Sequence, residues 1–313
     1  VGEKKSRQMI SRAYKENPDA CIAVVGCYAQ RDPEGILAQC GVSLVVGTAQ
    51  KSRIVEFVEE YLQNRQKLKE VEDITHWSSY DDELAVHGHT GRTRAYVKIQ
   101  DGCNNFCAYC IIPYLRGRIR SRSMDSIIEE AKSLARNGFK EVVLNGIHLS
   151  SYGKDRENHP DLLDVVEELS KINGIARIRL GSLEPTIITD GFVQRAKALP
   201  NLCPHFHLSL QSGCDTVLQR MNRRYTTQEY RQAVERLRSV YPLCNITTDI
   251  IVGFPGETEA EFEQTMSFVK EISFGQVHVF AFSKREGTKA AQMPGQLTNA
   301  QKQARSARLI QLS

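Results

Sequence analysis

Long apolar runs are missing from this sequence. No stretch approaches the roughly 18 residues that a membrane-spanning helix needs, and no signal-peptide pattern opens the chain. There is one tryptophan, and the net charge is only +4 over 313 residues, so charge alone does not mark a nucleic-acid binder. We therefore expect no membrane partner. A chain of this length can bury a sizeable core and is predicted to form about two domains.

The nine cysteines come without secretory features. That combination predicts a reducing compartment, here the cytoplasm, and metal-binding or catalytic use of some of the thiols. Six of the cysteines are scattered, and most of these should be small buried hydrophobes. They are Cys21, Cys27, Cys40, Cys203, Cys214 and Cys244.

The other three cysteines, Cys103, Cys107 and Cys110, lie within eight residues in the spacing C-x3-C-x2-C. Three thiolates on one loop can ligate three irons of a [4Fe–4S] cluster and leave the fourth iron open for chemistry. A disulfide with a spare thiol is an alternative, and so is a zinc site, although the local sequence offers zinc no fourth ligand. With Tyr109 before the third cysteine, the loop resembles the cluster loop of the radical S-adenosylmethionine (SAM) enzymes.

Residues 1–66 alternate between strand and helix patterns, which predicts a small doubly wound α/β domain. Cys27 lies at the carboxyl end of its first strand, where such domains bind ligands. The polar segment 67–93 is interpreted as a linker, with Trp77 resting on a domain surface and with His87 and His89 solvated. The predicted strands of the small domain are 20–26 and 42–47, and its predicted helices are 4–16, 32–39 and 50–67.

From Arg94 onwards a strand, a loop and usually a helix recur six times. The strands start roughly 30 to 45 residues apart, which is the length of a βαβ unit. We therefore predict a partial (β/α)6 barrel over 94–290, followed by a C-terminal helix over 291–313. The cysteine loop directly follows the first strand, at the end where parallel barrels build their active sites. The predicted strands are 95–99, 141–145, 175–180, 205–210, 246–252 and 276–282, and the predicted helices are 124–137, 161–172, 187–198, 227–240 and 258–271.

The ends of the other strands carry glycines and polar groups suited to SAM, which has an amino-acid portion, a ribose and an adenine. A glycine lets the backbone approach a ligand closely, and a carboxylate can take an ammonium or a hydroxyl group. Each residue alone is a weak signal, because turn residues at strand ends are usually only turns. Together, behind the cysteine loop, they predict a SAM site. The candidates are Asn145, Gly146, Glu184, Ser209, Gln211, Asp249 and Gly253.

Six phrases of the 94–290 segment resemble the radical SAM domain of the methylthiotransferases. They are KIQDGCNNFCAYCIIPYLRGRIRSR, LNGIHLSSYG, LGSLEP, HLSLQSG, TDIIVGFPGET and FSKREGTKA. KSRQMI and VVGCYAQ, within residues 1–66, resemble the end of that family's amino-terminal domain. The resemblance covers nearly the whole chain. It implies that Cys103, Cys107 and Cys110 ligate a [4Fe–4S] cluster whose open iron binds SAM.

The resemblance also implies the reaction and the partners. In this family a SAM-derived radical abstracts hydrogen from C2 of adenosine-37 in the tRNA anticodon loop, and a second SAM supplies the methyl group. Sulfur comes through a second [4Fe–4S] cluster held by three cysteines, of which Cys27 matches the third. An electron donor such as flavodoxin or ferredoxin is implied as well.

Within the family, the phrase GIHLSSYG is most similar to the branch that acts on N6-threonylcarbamoyladenosine-37. The isopentenyladenosine branch tends to show a GQN-type sequence where Gly146, Ile147 and His148 stand here. A third branch acts on a ribosomal-protein aspartate. From a different class, an RNA-binding protein with a structural zinc would be colourless, and it would leave the strand-end pattern unexplained.

The two ends of the chain suggest a fragment, because Val1 opens inside a polar helix pattern and Ser313 closes inside another. The two other cysteines of the second cluster would lie upstream, and a small RNA-binding β-barrel domain is expected downstream. On this interpretation the fragment cleaves SAM reductively but shows little or no methylthiolation. Arg116, Arg118, Arg120 and Arg122 are either solvated or guide the tRNA backbone, and we predict that Arg118 and Arg122 contact phosphates.

Overall fold

The computed structural model describes residues 2–77, 79–80 and 93–313. His87 and His89, with most of the predicted linker, lie outside the described residues. The chain divides into two compact units. The first comprises Val1–Leu84 and Ile112–Arg118, and the second comprises Ala85–Ile111 and Ile119–Ser313. Within the described part, no helix is both long and apolar enough to cross a membrane.

The first unit is built on a three-stranded parallel sheet in the order β1-β2-β3. Every residue of β2 is buried, because helices pack on both of its faces. The predicted doubly wound domain is therefore confirmed. The third strand is a difference, since it lies inside the segment 67–93 predicted as a linker. Its elements are α1 Gly2–Glu16, β1 Ile22–Val25, α2 Cys27–Arg31, α3 Pro33–Leu37, β2 Val42–Val46, α4 Ile54–Asn64, β3 Leu68–Glu70 and, from the second segment, α5 Ile112–Arg116.

The second unit contains the predicted parallel strands, in two four-stranded sheets. The strand orders are β5-β4-β6-β7 and β8-β9-β10-β11, and every pairing except that of β4 with β5 is parallel. The elements are β4 Ala95–Asp101, β5 Arg120–Ser121, α6 Met124–Arg136, β6 Glu141–Gly146, α7 Leu162–Ser170, β7 Arg177–Leu180, β8 Ser182–Leu183, α8 Asp190–Lys197, β9 His205–Leu208, α9 Asp215–Arg220, α10 Thr227–Val240, β10 Asn245–Val252, α11 Glu259–Ile272, β11 Gln276–Ala281, α12 Lys289–Gln292 and α13 Asn299–Leu312.

The third predicted strand, 175–180, corresponds to β7, and a short strand that was not predicted, β8, follows it after Gly181. β7 pairs with β6, and β8 pairs with β9. A Cβ atom at Gly181 would lie 3.0 Å from the carbonyl oxygen of Leu144, so a side chain there would crowd β6. The chain thereby passes from one four-stranded sheet to the other, and the six predicted strands of the partial barrel are confirmed.

Four helices of the second unit begin at reciprocal side-chain caps. Asp161, Thr226, Thr258 and Thr298 each form a reciprocal capping box with the residue three positions later. A box satisfies two backbone N–H groups that the first helical turn leaves without partners. The apolar faces of these helices cover the outside of the strands, where the main core lies.

The C-terminal helix α13 packs onto the barrel. Leu309 is fully buried in the main core, and the guanidinium of Arg305 lies 2.6 Å from the buried carboxylate of Glu257. Burial raises the pKa of Glu257, and Arg305 opposes that rise. The helix is therefore part of the barrel's structure.

Candidate active site

The cysteine loop begins at the end of β4, as the sequence predicts. Gly102 adopts a positive φ of 71°, which turns the chain out of the strand. The side-chain amide of Gln100 donates to the carbonyls of Asp101 and Gly102, at 2.7 and 2.8 Å. A buried side chain therefore fixes the direction in which the loop leaves the sheet.

The loop is fixed further along by main-chain contacts with two other segments. The amide of Ala108 donates to the carbonyl of Met221, and the amide of Ala290 donates to the carbonyl of Ala108, each at 2.8 Å. The side chain of Asn222 donates to the carbonyls of Asn105 and Phe106. These bonds hold the backbone between the cysteines in one conformation.

None of the three cysteines of the loop forms a disulfide, so the disulfide alternative is wrong in this structure. Burial raises the pKa of Cys103 to about 11, and the positive charge of a bound metal would oppose that rise if the thiolate were its ligand. Across the described residues, the one group of three metal-ligating side chains close enough to share a single ion does not include these cysteines. The absence of the three cysteines from such a group disfavours a single zinc ion held by all of them.

Arg223 connects the cysteine loop to the neighbouring strand ends. Its guanidinium donates to the Sγ atom of Cys107 at 3.3 Å and lies 2.8 Å from Glu184 Oε1. Only 7% of its side chain is exposed, and it lies over the ring of Tyr225. Sequence reasoning missed Arg223, because it lies after the short helix α9, away from every strand end.

Glu184 is surrounded by donors. Asn105 donates to Glu184 Oε1 at 2.9 Å, and His148 Nε2 lies 3.0 Å from Glu184 Oε2. Burial on its own raises the pKa of Glu184, but the hydrogen bond with His148 and the charge of Arg223 outweigh it and lower the pKa to about 2. The predicted site carboxylate is thus a fixed anion beside the cysteine loop.

Two predicted SAM contacts, Asn145 and Gly146, lie at the end of β6, and the structure gives the glycine a role in packing. A Cβ atom at Gly146 would lie 3.0 Å from the Gln100 side chain and equally close to Leu149. The missing side chain therefore makes room for Gln100, which orders the cysteine loop. Asn145 is half-buried beside it.

The remaining predicted SAM contacts lie at the ends of β9 and β10, where each of them contacts other residues of the protein. The amide of Ser209 donates to the carbonyl of Leu183, and Gln211 (φ 71°) exchanges main-chain hydrogen bonds with β10. The carboxylate of Asp249 lies 3.2 Å from His207 Nε2. The amide of Gly253 donates to the carboxylate of Glu257, and a Cβ there would overlap Lys302.

Two of the arginines after the loop are buried, so the predicted phosphate contact of Arg122 is wrong. Arg120 and Arg122 are 1% and 3% exposed. Arg122 forms a buried ion pair with Glu130 and donates to Ser126 Oγ at 3.0 Å. Arg118 is exposed in the other compact unit and stays a predicted tRNA contact.

Cys27, in the first unit, starts the short helix α2 at the end of β1. The preceding Gly26 has a φ of 94°, which lets the chain turn from strand to helix. The thiol is free and half-buried. The structure thus confirms its predicted position at a strand's carboxyl end.

The fold and the cysteine loop define an iron–sulfur enzyme that uses SAM. The family model described as the radical SAM superfamily matches residues 97–269. A solved structure of the cobalamin-dependent SAM radical enzyme OxsB, with aqua-cobalamin and SAM bound, superposes with a TM-score of 0.59 over 98% of this chain and 45% of that chain, at 12% identity. At this level of identity, the likeness shows that the two chains share a fold.

Curated relatives show to which family within the radical SAM superfamily the chain is similar. The threonylcarbamoyladenosine tRNA methylthiotransferase MtaB of Bacillus subtilis is 44% identical over 100% of this chain and 69% of its own length. The tRNA-2-methylthio-N(6)-dimethylallyladenosine synthase of Pelotomaculum thermopropionicum is 38% identical over 97% of this chain and 68% of its own. The chain belongs to the radical SAM methylthiotransferase family.

Proposed function

We propose that this protein adds a 2-methylthio group to N6-threonylcarbamoyladenosine at position 37 of tRNA. The observation that carries the proposal is the cysteine loop at the end of β4, ordered by Gln100 and contacted by Arg223 and Glu184. The similarity to the Bacillus subtilis enzyme supports the substrate.

In this proposal Cys103, Cys107 and Cys110 ligate a [4Fe–4S] cluster that leaves one iron to SAM. When bound, the cluster supplies the electron for reductive SAM cleavage. Arg223 donates to the sulfur of Cys107, and a donor to a ligating sulfur stabilises the more negative, reduced state of a cluster. Arg223 would thus be a positioning residue that also raises the reduction potential of the cluster.

Glu184 supplies a permanent negative charge next to the loop, suited to the ammonium group of SAM. It accepts from Asn105, which lies between two of the cysteines, so the carboxylate and the loop are positioned together. Asn145, Ser209 and Gln211 are proposed contacts for the other polar groups of SAM. Gly146, Asp249 and Gly253 stay predictions from the sequence.

We also propose a second [4Fe–4S] cluster, to which Cys27 contributes one ligand, and an electron donor such as flavodoxin or ferredoxin. In the full-length protein, two clusters predict about eight iron ions per chain. Cys27→Ala should then lower the iron content and abolish methylthiolation while SAM cleavage continues. About four iron ions in both proteins would contradict the second cluster.

The domain division follows the same proposal. Residues 1–66 belong to the amino-terminal domain and 94–290 to the radical SAM domain, with 67–93 between them. The strand β3 within 67–93 shortens the proposed linker.

The second candidate substrate is the dimethylallyladenosine of tRNA, favoured by the relative from Pelotomaculum thermopropionicum. Mass spectrometry of tRNA nucleosides from cells lacking the gene separates the two. Loss of 2-methylthio-threonylcarbamoyladenosine, restored by wild type and not by Cys107→Ala, is the expected result. Loss of the dimethylallyl derivative alone would assign the other substrate, and unchanged tRNA would favour the ribosomal-protein branch.

A further inference from the structure

Three metal-ligating side chains lie together on β9, β10 and β11. The strand register pairs Thr247 with His207, and Asp249 with His278. Alternate residues of a strand face the same side, so Thr247 and Asp249 share one face of β10. His207, Asp249 and His278 therefore project from three neighbouring strands towards the same space.

The distances between the three side chains suit a single ion. One ligand atom from each residue lies within 4.8 Å of the other two. His207 Nε2 lies 3.2 Å from Asp249 Oδ2, and the two histidine rings have centroids 5.8 Å apart. Across the ranges that the structure describes, no other set of three histidine, cysteine or carboxylate side chains meets this spacing.

A second observation concerns the orientation of His207. Its Nδ1 atom lies 2.9 Å from the hydroxyl of buried Thr247, which leaves Nε2 directed at Asp249. Metal-binding histidines usually make such a hydrogen bond through their other ring nitrogen, because it fixes the ring and the tautomer. The surroundings of His207 thus match those of a ligand.

We propose that His207, Asp249 and His278 bind one zinc ion. Two imidazoles and one carboxylate are ligands that zinc accepts, and zinc sites with three protein ligands keep a fourth position for water or a substrate oxygen. The group does not include the three cysteines, and the proposal assigns Asp249, a SAM contact predicted from the sequence, to the zinc ion instead. It goes beyond the proposed methylthiolation and does not depend on it, since it is detected by metal binding.

The probe is zinc alone. The anaerobically purified protein with its iron–sulfur cluster is equilibrated against buffered zinc, and bound zinc per chain is measured by mass spectrometry. Wild type should bind one zinc ion, and His278→Ala should lose it. His205→Ala is the matched control, because His205 lies on the same face of β9 but outside the group, and it should keep the zinc. Thr247→Val should weaken binding about 10- to 100-fold.

X-ray absorption at the zinc edge on the wild-type protein identifies the ligands without any variant. The proposal predicts nitrogen and oxygen at about 2.0–2.1 Å and no sulfur near 2.3 Å. Sulfur in that shell would place the zinc on cysteines and overturn the proposal. Equal zinc binding by wild type, His278→Ala and Asp249→Asn would also overturn it, leaving His207 and Asp249 as an ion pair only.

Discussion

Replacing Glu184 with glutamine tests whether the network behind the cysteine loop stabilises the barrel. The substitution keeps the shape of the side chain but removes the charge that pairs with Arg223 and His148. Arg223 is only 7% exposed, so its guanidinium would then be buried without its carboxylate partner. Breaking one side of a buried ion pair is strongly destabilising for this reason.

The size of the effect follows from the pKa of Glu184. Its fall from 4.5 to about 2 on folding corresponds to about 3 kcal/mol at neutral pH. Loss of one partner of a buried pair typically costs about 3–5 kcal/mol, which agrees. For a unit of this size, about 3 kcal/mol lowers the melting temperature by roughly 6–12 °C.

Urea unfolding of the apoprotein measures the difference at several pH values. Because the pKa of Glu184 is lower in the folded state, its stabilisation is fully present above the unfolded value of 4.5 and is lost as the pH falls towards about 2. The difference between wild type and Glu184→Gln should therefore be constant from pH 8 to about pH 5. Below that it should shrink.

Glu129→Gln is the control, because Glu129 pairs with Lys132 on the surface and should change stability by less than about 0.5 kcal/mol. A difference below about 1 kcal/mol for Glu184→Gln would refute the reasoning. So would a difference that already shrinks between pH 7 and pH 6.

Three further predictions concern the scaffold. Leu309 lies on the buried face of α13, and Leu309→Ala should lower the stability measured by thermal unfolding by about 2–5 kcal/mol. The neighbouring Ile310 is exposed, so Ile310→Ala should change the stability by less than about 0.5 kcal/mol. Gly253→Ala should destabilise by more than about 1 kcal/mol, because its φ of 71° and Lys302 oppose a side chain, whereas Gly191→Ala in α8 should be neutral or stabilising. Arg122→Ala should destabilise the protein by about 3–5 kcal/mol, because it leaves Glu130 buried without its partner. The salt dependence of tRNA binding should stay unchanged, and a weaker salt dependence would show that Arg122 contacts the RNA.

Periodicity and turn residues were sufficient to predict most of the architecture. Buried parallel strands appear as short apolar runs, and Thr258 marked the start of α11 as the structure has it. The short strand β8 after Gly181 was missed, because it is formed by pairing with β9. The strand β3 was missed because LKE is polar, and its pairing with β2 decides its conformation.

The site was predictable where a residue acts through its place at a strand end, and less so elsewhere. The cysteine loop and Glu184 follow strands directly, so their neighbourhood could be inferred. Arg223 reaches the loop from behind α9, a contact that only the folded chain reveals. The run of arginines looked like a surface feature, but β5 carries Arg120 into the interior. Gly146 proved to make room for Gln100.

The most direct test of the account asks whether the three loop cysteines hold a cluster that SAM can reach. Electron paramagnetic resonance of the reduced, anaerobic protein, with and without SAM, measures this for wild type, Cys107→Ala and Cys203→Ala. We predict a cluster signal that SAM alters in wild type and in Cys203→Ala, and no such SAM-sensitive signal in Cys107→Ala. An unchanged SAM response in Cys107→Ala would contradict the central claim.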